Sequence, residues 1–190
     1  MDVTGQYRIA MPRESVWRAL MDVDMLSRCI PGCERLEQTA PNAFRARVAL
    51  AVGPVRAAFD TELSLTDIKV PESYRLAGSG RAGAVGFGRG EARVALAQDA
   101  DAATLLSYSA AFQVGGRLAQ VGSRLVLGAT RKLVDEFFAN LVREMSAPAE
   151  RIDVAAPRTA QRYRGLAWIS VGVLMLALLL WWHFGPGAAL

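Results

Sequence analysis

Residues 104–146 read TLLSYSAAFQVGGRLAQVGSRLVLGATRKLVDEFFANLVREMS, and the spacing of their apolar residues changes part-way along. Up to Gly115 the apolar residues alternate with small or polar ones, which is the pattern of a half-buried β-strand. Beyond Gly116 they recur every three or four positions, at Leu118, Val121, Leu125, Ala129, Leu133, Phe137 and Leu141. This second spacing predicts one long amphipathic helix, about 43 Å if unbroken at 1.5 Å per residue.

Strand patterns fill the chain before this segment. Turn residues such as Gly53-Pro54 separate the predicted strands, which cover residues 34–39, 43–52, 55–68, 73–80, 86–98 and 104–114. An opening strand around residues 7–9 and two short helices, over residues 12–22 and 24–29, come before them. This order predicts an α+β domain in which a curved antiparallel sheet grips the long C-terminal helix. We expect the short helices to close the sheet and leave an apolar cavity between the layers.

A second feature is the apolar tail, LAWISVGVLMLALLLWWHF, over residues 166–184. It runs for 19 residues without a formal charge, which is long enough for one transmembrane helix. Trp168 at one end and Trp181 and Trp182 at the other suit the two headgroup layers. The tail therefore predicts a single-pass membrane protein.

Charge next to this span predicts its orientation. The arginines that precede it are Arg151, Arg158, Arg162 and Arg164, and no lysine or arginine follows it. Because basic residues stay on the cytoplasmic side, we expect the N-terminal domain to lie in the cytoplasm, under a bacterial inner membrane. The predicted parts are a domain (1–146), a flexible arginine-containing linker (147–165), the span (166–184) and a short extracytoplasmic tail (185–190).

Composition excludes several chemistries. The chain has 22 basic and 18 acidic residues, but most of the excess lies just before the span, so no nucleic-acid partner is expected. The single histidine, His183, lies in the span, and the two cysteines are too few for a zinc site or a disulfide framework. Histidine-dependent catalysis is thus excluded from the N-terminal domain. We expect no catalytic residue, no metal and no covalent cofactor.

Two motifs have structural interpretations. Residues 78–83 spell G-x-G-x-x-G, but a strand pattern follows where a dinucleotide site needs a helix. The six glycines between Gly78 and Gly90 indicate instead a tightly curled hairpin that a ligand or helix approaches closely. Cys29 and Cys33 flank a Pro-Gly turn in C-x3-C spacing, which favours packing over redox chemistry.

Arg117, Arg124 and Arg131 stand seven residues apart on the predicted long helix, with Lys132 beside them. A solvated helix face is the favoured interpretation of this stripe. A docking surface for lipid headgroups or for an acidic partner is the alternative.

Apolar side chains on the predicted elements are candidates either for a packed core or for the lining of a cavity, and periodicity alone does not separate the two. The candidate lining residues are Trp17, Ile30, Phe59, Tyr74, Phe87, Tyr108, Phe112, Leu118 and Leu125.

Local strings of the sequence resemble a known family. They are PRESVW (12–17), CIPGCE (29–34), VGPV (52–55), PESY (71–74), the glycine hairpin (78–90) and VGGRLAQVGSRL (114–125). Together they are similar to the G-subunit family of carbon monoxide dehydrogenase, within the START-like, polyketide-cyclase-like superfamily, which has the helix-grip fold. The resemblance covers nearly all of residues 1–147.

This resemblance implies an accessory protein, not a catalytic subunit. It implies recruitment of a cytoplasmic molybdenum hydroxylase of the carbon monoxide dehydrogenase type to the inner membrane, and a bound apolar ligand such as a quinone or a lipid. Two alternatives remain at this point. One is a cyclase or hydrolase that acts on a polyketide or lipid in the cavity, and the other is an assembly factor for the molybdenum enzyme.

Overall fold

A computed structural model of the chain describes residues 1–147, which form one compact unit. Seven strands make a single antiparallel sheet in the order β1-β7-β6-β5-β4-β3-β2. They are β1 (Asp2–Ile9), β2 (Cys33–Ala40), β3 (Ala43–Val52), β4 (Val55–Lys69), β5 (Ser73–Arg81), β6 (Phe87–Gln98) and β7 (Thr104–Gly115). Only β1 leaves sequential order, because it pairs with the last strand, β7.

Four α-helices accompany the sheet within residues 1–147: α1 (Arg13–Met21), α2 (Val23–Cys29), α3 (Arg117–Gln120) and α4 (Ser123–Ser146). Asp22 separates the first two, and its side chain accepts a hydrogen bond from the backbone N–H of Met25, which caps α2. None of the helices in residues 1–147 has the length and apolarity needed to cross a membrane. The predicted linker, span and tail lie outside the described residues.

Strand register decides which side chains share a face. Leu106 on β7 pairs with Tyr7 on β1 and Leu96 on β6, and this face of the sheet is covered by α1, α2 and α4. Ile9, Leu106 and Leu141 are fully buried at the centre of the resulting core. The predicted α+β architecture, a curved antiparallel sheet with a long C-terminal helix, is confirmed.

The prediction of one unbroken helix after Gly116 is wrong. Gly122 adopts φ 96°, a conformation that side-chain-bearing residues rarely adopt, and it separates α3 from the 24-residue α4. The break resets the helical phase, so Val126 is buried and Leu125 is exposed. At 1.5 Å per residue α4 is about 36 Å long.

Candidate ligand-binding cavity

An apolar cavity of about 400 Å³ lies between the covered face of the sheet and helices α2 and α4. Ile30 and Pro31 close it from the end of α2, Leu106 belongs to its sheet side, and Leu133 and Phe137 of α4 form its roof. Its volume falls within the usual range of small-molecule sites, and such sites are mostly apolar with a few placed polar groups. The arrangement can therefore hold an apolar molecule.

Tyr74 is the buried polar group of this cavity. Its side chain lines the cavity and is 8% exposed. Trp17 packs edge-on against its ring, with 5.8 Å between the ring centroids. The hydroxyl makes no hydrogen bond to any residue of the described domain, and burial raises the pKa of Tyr74 to about 12. The hydroxyl is thus a protonated, unused donor at physiological pH.

On the β1 side of the cavity, three aromatic rings pack together. Tyr7 lies 4.2 Å from Phe138 and 6.2 Å from Tyr108, measured between ring centroids. The Tyr7 hydroxyl donates a hydrogen bond to the Asp135 carboxylate on α4. Burial, followed by Asp135, raises the pKa of Tyr7, and the same two causes raise that of Tyr108. These contacts join α4 to the edge strand β1.

A second hollow of about 330 Å³ continues along the same face of the sheet. Leu63, Leu76 and Ala110 line both hollows. Its floor carries the glycines of β5 and β6, which are Gly78, Gly80, Gly88 and Gly90. Because glycine has no side chain, this part of the sheet leaves open space where other strands would fill it. We call this hollow the glycine chamber.

Strand register explains the glycine chamber. Gly78 pairs with Gly90 and Gly80 with Gly88, so the four glycines form one patch. A Cβ atom on Gly78 would lie 2.6 Å from Cδ2 of Leu63 on β4, which crowds the patch from one side. A Cβ atom on Gly88 would meet nothing closer than 3.9 Å. The atoms that approach these glycines in the structure thus belong to neighbouring strands, and the approach of a ligand stays a prediction.

Most predicted lining residues lie in the lining of one hollow or the other. Ile30, Tyr74 and Tyr108 line the first cavity, and Phe59, Phe112 and Leu118 line the glycine chamber. Trp17 is a core residue behind Tyr74 and lies outside both linings.

Phe87 and Leu125 are placed differently from the prediction. They are 45% and 53% exposed, respectively, and line neither hollow. Phe87 pairs with Gly115 and shares its strand face with Arg89, the outer face of the sheet. Leu125 is exposed because the helix break at Gly122 changes which side chains of α4 face the sheet.

Sequence reasoning missed the residues that join α4 to β1. Phe138 follows the predicted inward residue Phe137 by one position, so the helical pattern pointed close to it. Tyr7 lies in the alternation of the opening strand, which was a usable signal. Asp135 is exposed and 128 positions from Tyr7, and no sequence pattern connects the two.

Reactive groups are scarce in the described domain. Cys29 is fully buried, burial raises the pKa of its thiol, and its carbonyl accepts a hydrogen bond from the side-chain amide of Asn140 on α4. These features are those of a packing residue. Within residues 1–147 no group of histidine, cysteine, aspartate and glutamate side chains is placed to hold a metal ion.

Residues 5–146 match the family of the carbon monoxide dehydrogenase G subunit, CoxG. The chain belongs to the CoxG family. No curated protein matches it. A solved structure from Geobacillus kaustophilus, titled as a conserved protein, is 32% identical with a TM-score of 0.73, and the match covers 76% of this CoxG-family chain and 95% of that one. Because so much of that chain is matched, a domain of this extent folds on its own.

More distant structures show the fold alone. A protein from Thermus thermophilus is 18% identical with a TM-score of 0.58, covering 76% of this chain and 97% of that one. A START superfamily protein from Mycobacterium smegmatis is 14% identical with a TM-score of 0.59, covering 76% and 96%. The CoxG-family chain therefore has a START-like fold.

Proposed function

We propose that this CoxG-family chain is an accessory protein that binds a quinone in its cavity and recruits a molybdenum hydroxylase of the carbon monoxide dehydrogenase type to the bacterial inner membrane. The observation that carries the ligand is the unused hydroxyl of Tyr74 inside an apolar cavity. The oxygen of this hydroxyl is not among the fully buried, unpartnered polar atoms of residues 1–147, so it stays accessible from the cavity. A ligand oxygen in the cavity can therefore accept its hydrogen bond.

The two hollows fit the two parts of a quinone. The ring is flat and apolar with carbonyl oxygens, which accept hydrogen bonds, and the cavity offers it the donor of Tyr74 and the ring of Tyr108. The isoprenoid chain has no polar atom and suits the glycine chamber, where the floor has no side chains. A membrane lipid that has an apolar body and a hydrogen-bond acceptor in its head would meet the same requirements.

Recruitment rests on the family and on the predicted tail. A span over residues 166–184 would hold the domain beside the bilayer, and a partner docked on the domain would meet membrane quinone at a high local concentration. The described domain offers no assembled catalytic group, so the redox chemistry in this proposal belongs to the partner enzyme. The proposed localisation is a single pass of the inner membrane with residues 1–147 in the cytoplasm.

Quinone binding is tested by titrating residues 1–147 with decylubiquinone, a short-chain quinone. This domain contains one tryptophan, Trp17, which packs against Tyr74. We expect saturable quenching of Trp17 fluorescence with one quinone per domain. Quenching that rises linearly without saturation would contradict a built site.

Recruitment is tested in cells with the full chain, with a chain that lacks residues 166–190, and without the chain. We expect the partner hydroxylase to sediment with membranes only when the full chain is present, and to keep its cofactors in all three cases. A partner that lacks cofactor when the chain is missing would indicate an assembly factor. A partner that stays on the membrane without residues 166–190 would contradict recruitment.

A further inference from the structure

Three loops meet at one end of the sheet. They are the β3–β4 turn at Gly53, the β5–β6 loop over residues 82–86, and the segment over residues 115–125 that joins β7 to α4. A Cβ atom on Gly53 would lie 3.4 Å from Cγ1 of Val121 and 3.5 Å from Cδ1 of Leu125, and one on Gly116 would lie 2.7 Å from the Cα of Gly86. We call this surface the loop end.

Charge is segregated onto the loop end. The segments that form it and lead away from it, residues 50–59, 81–90 and 113–134, contain no aspartate or glutamate. Their basic residues are Arg56, Arg81, Arg89, Arg117, Arg124, Arg131 and Lys132. The turns at the opposite end carry acidic residues instead, among them Glu72 and Asp99. Basic residues therefore predominate at the loop end, and Asp2 at the start of β1 and Asp60, the register partner of Arg81, lie at its border.

The arginines of the loop end are exposed and available. Within residues 1–147, Arg56, Arg117 and Arg124 form no ion pair within 4.0 Å. Several arginines elsewhere on the domain are engaged, as Arg47 is with Glu34 and Asp60. Of the basic residues of the loop end, Lys132 pairs with Glu136. The unpaired arginines Arg56, Arg117 and Arg124 are left to meet an anionic surface.

Two of the segments at the loop end carry a large exposed apolar side chain. Phe87 is 45% exposed and Leu125 is 53% exposed. An exposed phenylalanine and leucine flanked by arginines match the interfacial layer of a membrane, where apolar side chains enter the acyl boundary and cations meet phosphates. Val52, Gly80 and Leu118, which line the glycine chamber, belong to the same end.

We propose that the loop end is a docking surface for an anionic lipid bilayer. The exposed apolar pair favours a bilayer over an acidic protein, and the adjoining glycine chamber would receive an apolar molecule leaving that bilayer. The proposal goes beyond ligand binding and does not depend on it, because the surface can bind lipid whether or not the cavity holds quinone.

The test is sedimentation of residues 1–147 with vesicles of phosphatidylcholine containing three parts in ten phosphatidylglycerol, and with pure phosphatidylcholine vesicles. The predicted span is excluded, so binding reports on the domain surface. We expect binding to the anionic vesicles only, and weakening as salt is added. Each arginine near an anionic bilayer raises affinity about five-fold. The double variant Arg117→Gln with Arg124→Gln should therefore bind the anionic vesicles roughly 25-fold more weakly.

Matched controls separate the loop end from net charge. Arg18→Gln with Arg93→Gln removes the same charge from exposed positions outside the loop end and should leave vesicle affinity nearly unchanged. Leu125→Ser should weaken binding, whereas Val70→Ser, at the exposed side chain of the opposite end, should not. Circular dichroism melts establish that each variant is folded.

Three results would overturn the proposal. The domain could ignore anionic vesicles, or the control pair could weaken binding as much as the loop-end pair. In the third result, the domain binds the soluble polyanion polyglutamate as tightly as it binds vesicles, and Leu125→Ser has no effect on binding. That result would assign the surface to an acidic protein. Saturable quinone binding in any of these cases would leave the proposed function standing.

Discussion

Replacing Tyr74 with phenylalanine should change stability and ligand affinity in opposite directions. The substitution removes one hydroxyl from a cavity in which that group has no partner among the described residues, and it keeps the ring that packs against Trp17. The hydroxyl has no internal hydrogen bond to lose, and its oxygen is not among the fully buried, unpartnered atoms of residues 1–147, so its removal recovers only part of a small desolvation cost. We expect the free energy of unfolding of the empty domain to rise by at most about 1 kcal/mol.

Quinone affinity should fall in the same variant. A single hydrogen bond contributes about 1 kcal/mol net, so decylubiquinone should bind roughly five-fold more weakly to Tyr74→Phe. Urea unfolding of the ligand-free domain and quinone titration, both followed by Trp17 fluorescence, measure the two quantities on one protein. Ser109→Ala, which removes a hydroxyl from the exposed outer face of β7, should change neither.

The reasoning would be refuted if Tyr74→Phe lowered the stability of the empty domain and left quinone affinity unchanged. That result would mean that the hydroxyl has a structural partner and that the ligand does not contact it. A loss of both stability and affinity would point to disturbed packing around Trp17.

Three further predictions concern the chamber, the helix and alkaline pH. Gly88→Leu should fill the glycine chamber without backbone conflict and weaken binding of a long-chain quinone at least ten-fold in the fluorescence titration. Gly128→Leu, at an exposed position of α4, should leave quinone affinity unchanged. Equal effects of the two substitutions would contradict the chamber's role. Tyr7→Phe should lower the free energy of unfolding by about 1 kcal/mol in urea, since it removes the hydrogen bond to Asp135; an unchanged midpoint would argue against this tie. Stability should fall above pH 10, because an unfolded tyrosine ionises near pH 10 while burial holds the pKa of Tyr74 at about 12, so the unfolded state binds fewer protons between these values. The loss approaches about 3 kcal/mol from Tyr74 alone, and a Tyr74→Phe domain with the same pH dependence would contradict this assignment.

Much of the fold could be predicted from the sequence because the covered face of the sheet follows the alternation of apolar residues. Leu106 and Tyr108 show this alternation directly. Phe87 was the exception. Gly88 and Gly90 have no side chains, so the inward face of β6 carries no apolar signal there, although Phe87 shares its face with Arg89, which was evidence for the outer side.

The helix and the cavity contacts were harder to predict for a different reason. The position of Leu125 depends on whether Gly122 breaks the helix, and a helical pattern alone does not contain that information. The hydrogen bond from Tyr7 to Asp135 joins residues at opposite ends of the domain sequence. The unused hydroxyl of Tyr74 is likewise a property of packing, because it depends on which groups fail to reach it.

The central claim is that the cavity holds a quinone. Residues 1–147, expressed in a quinone-containing bacterium and purified without detergent, should be extracted with organic solvent and the extract analysed by mass spectrometry. The account predicts one quinone species at a molar ratio to the domain that approaches one. The double variant Tyr74→Phe with Gly88→Leu should contain much less quinone. An extract without quinone, or one in which quinone and bulk phospholipid appear in the proportions of the host membrane, would contradict it.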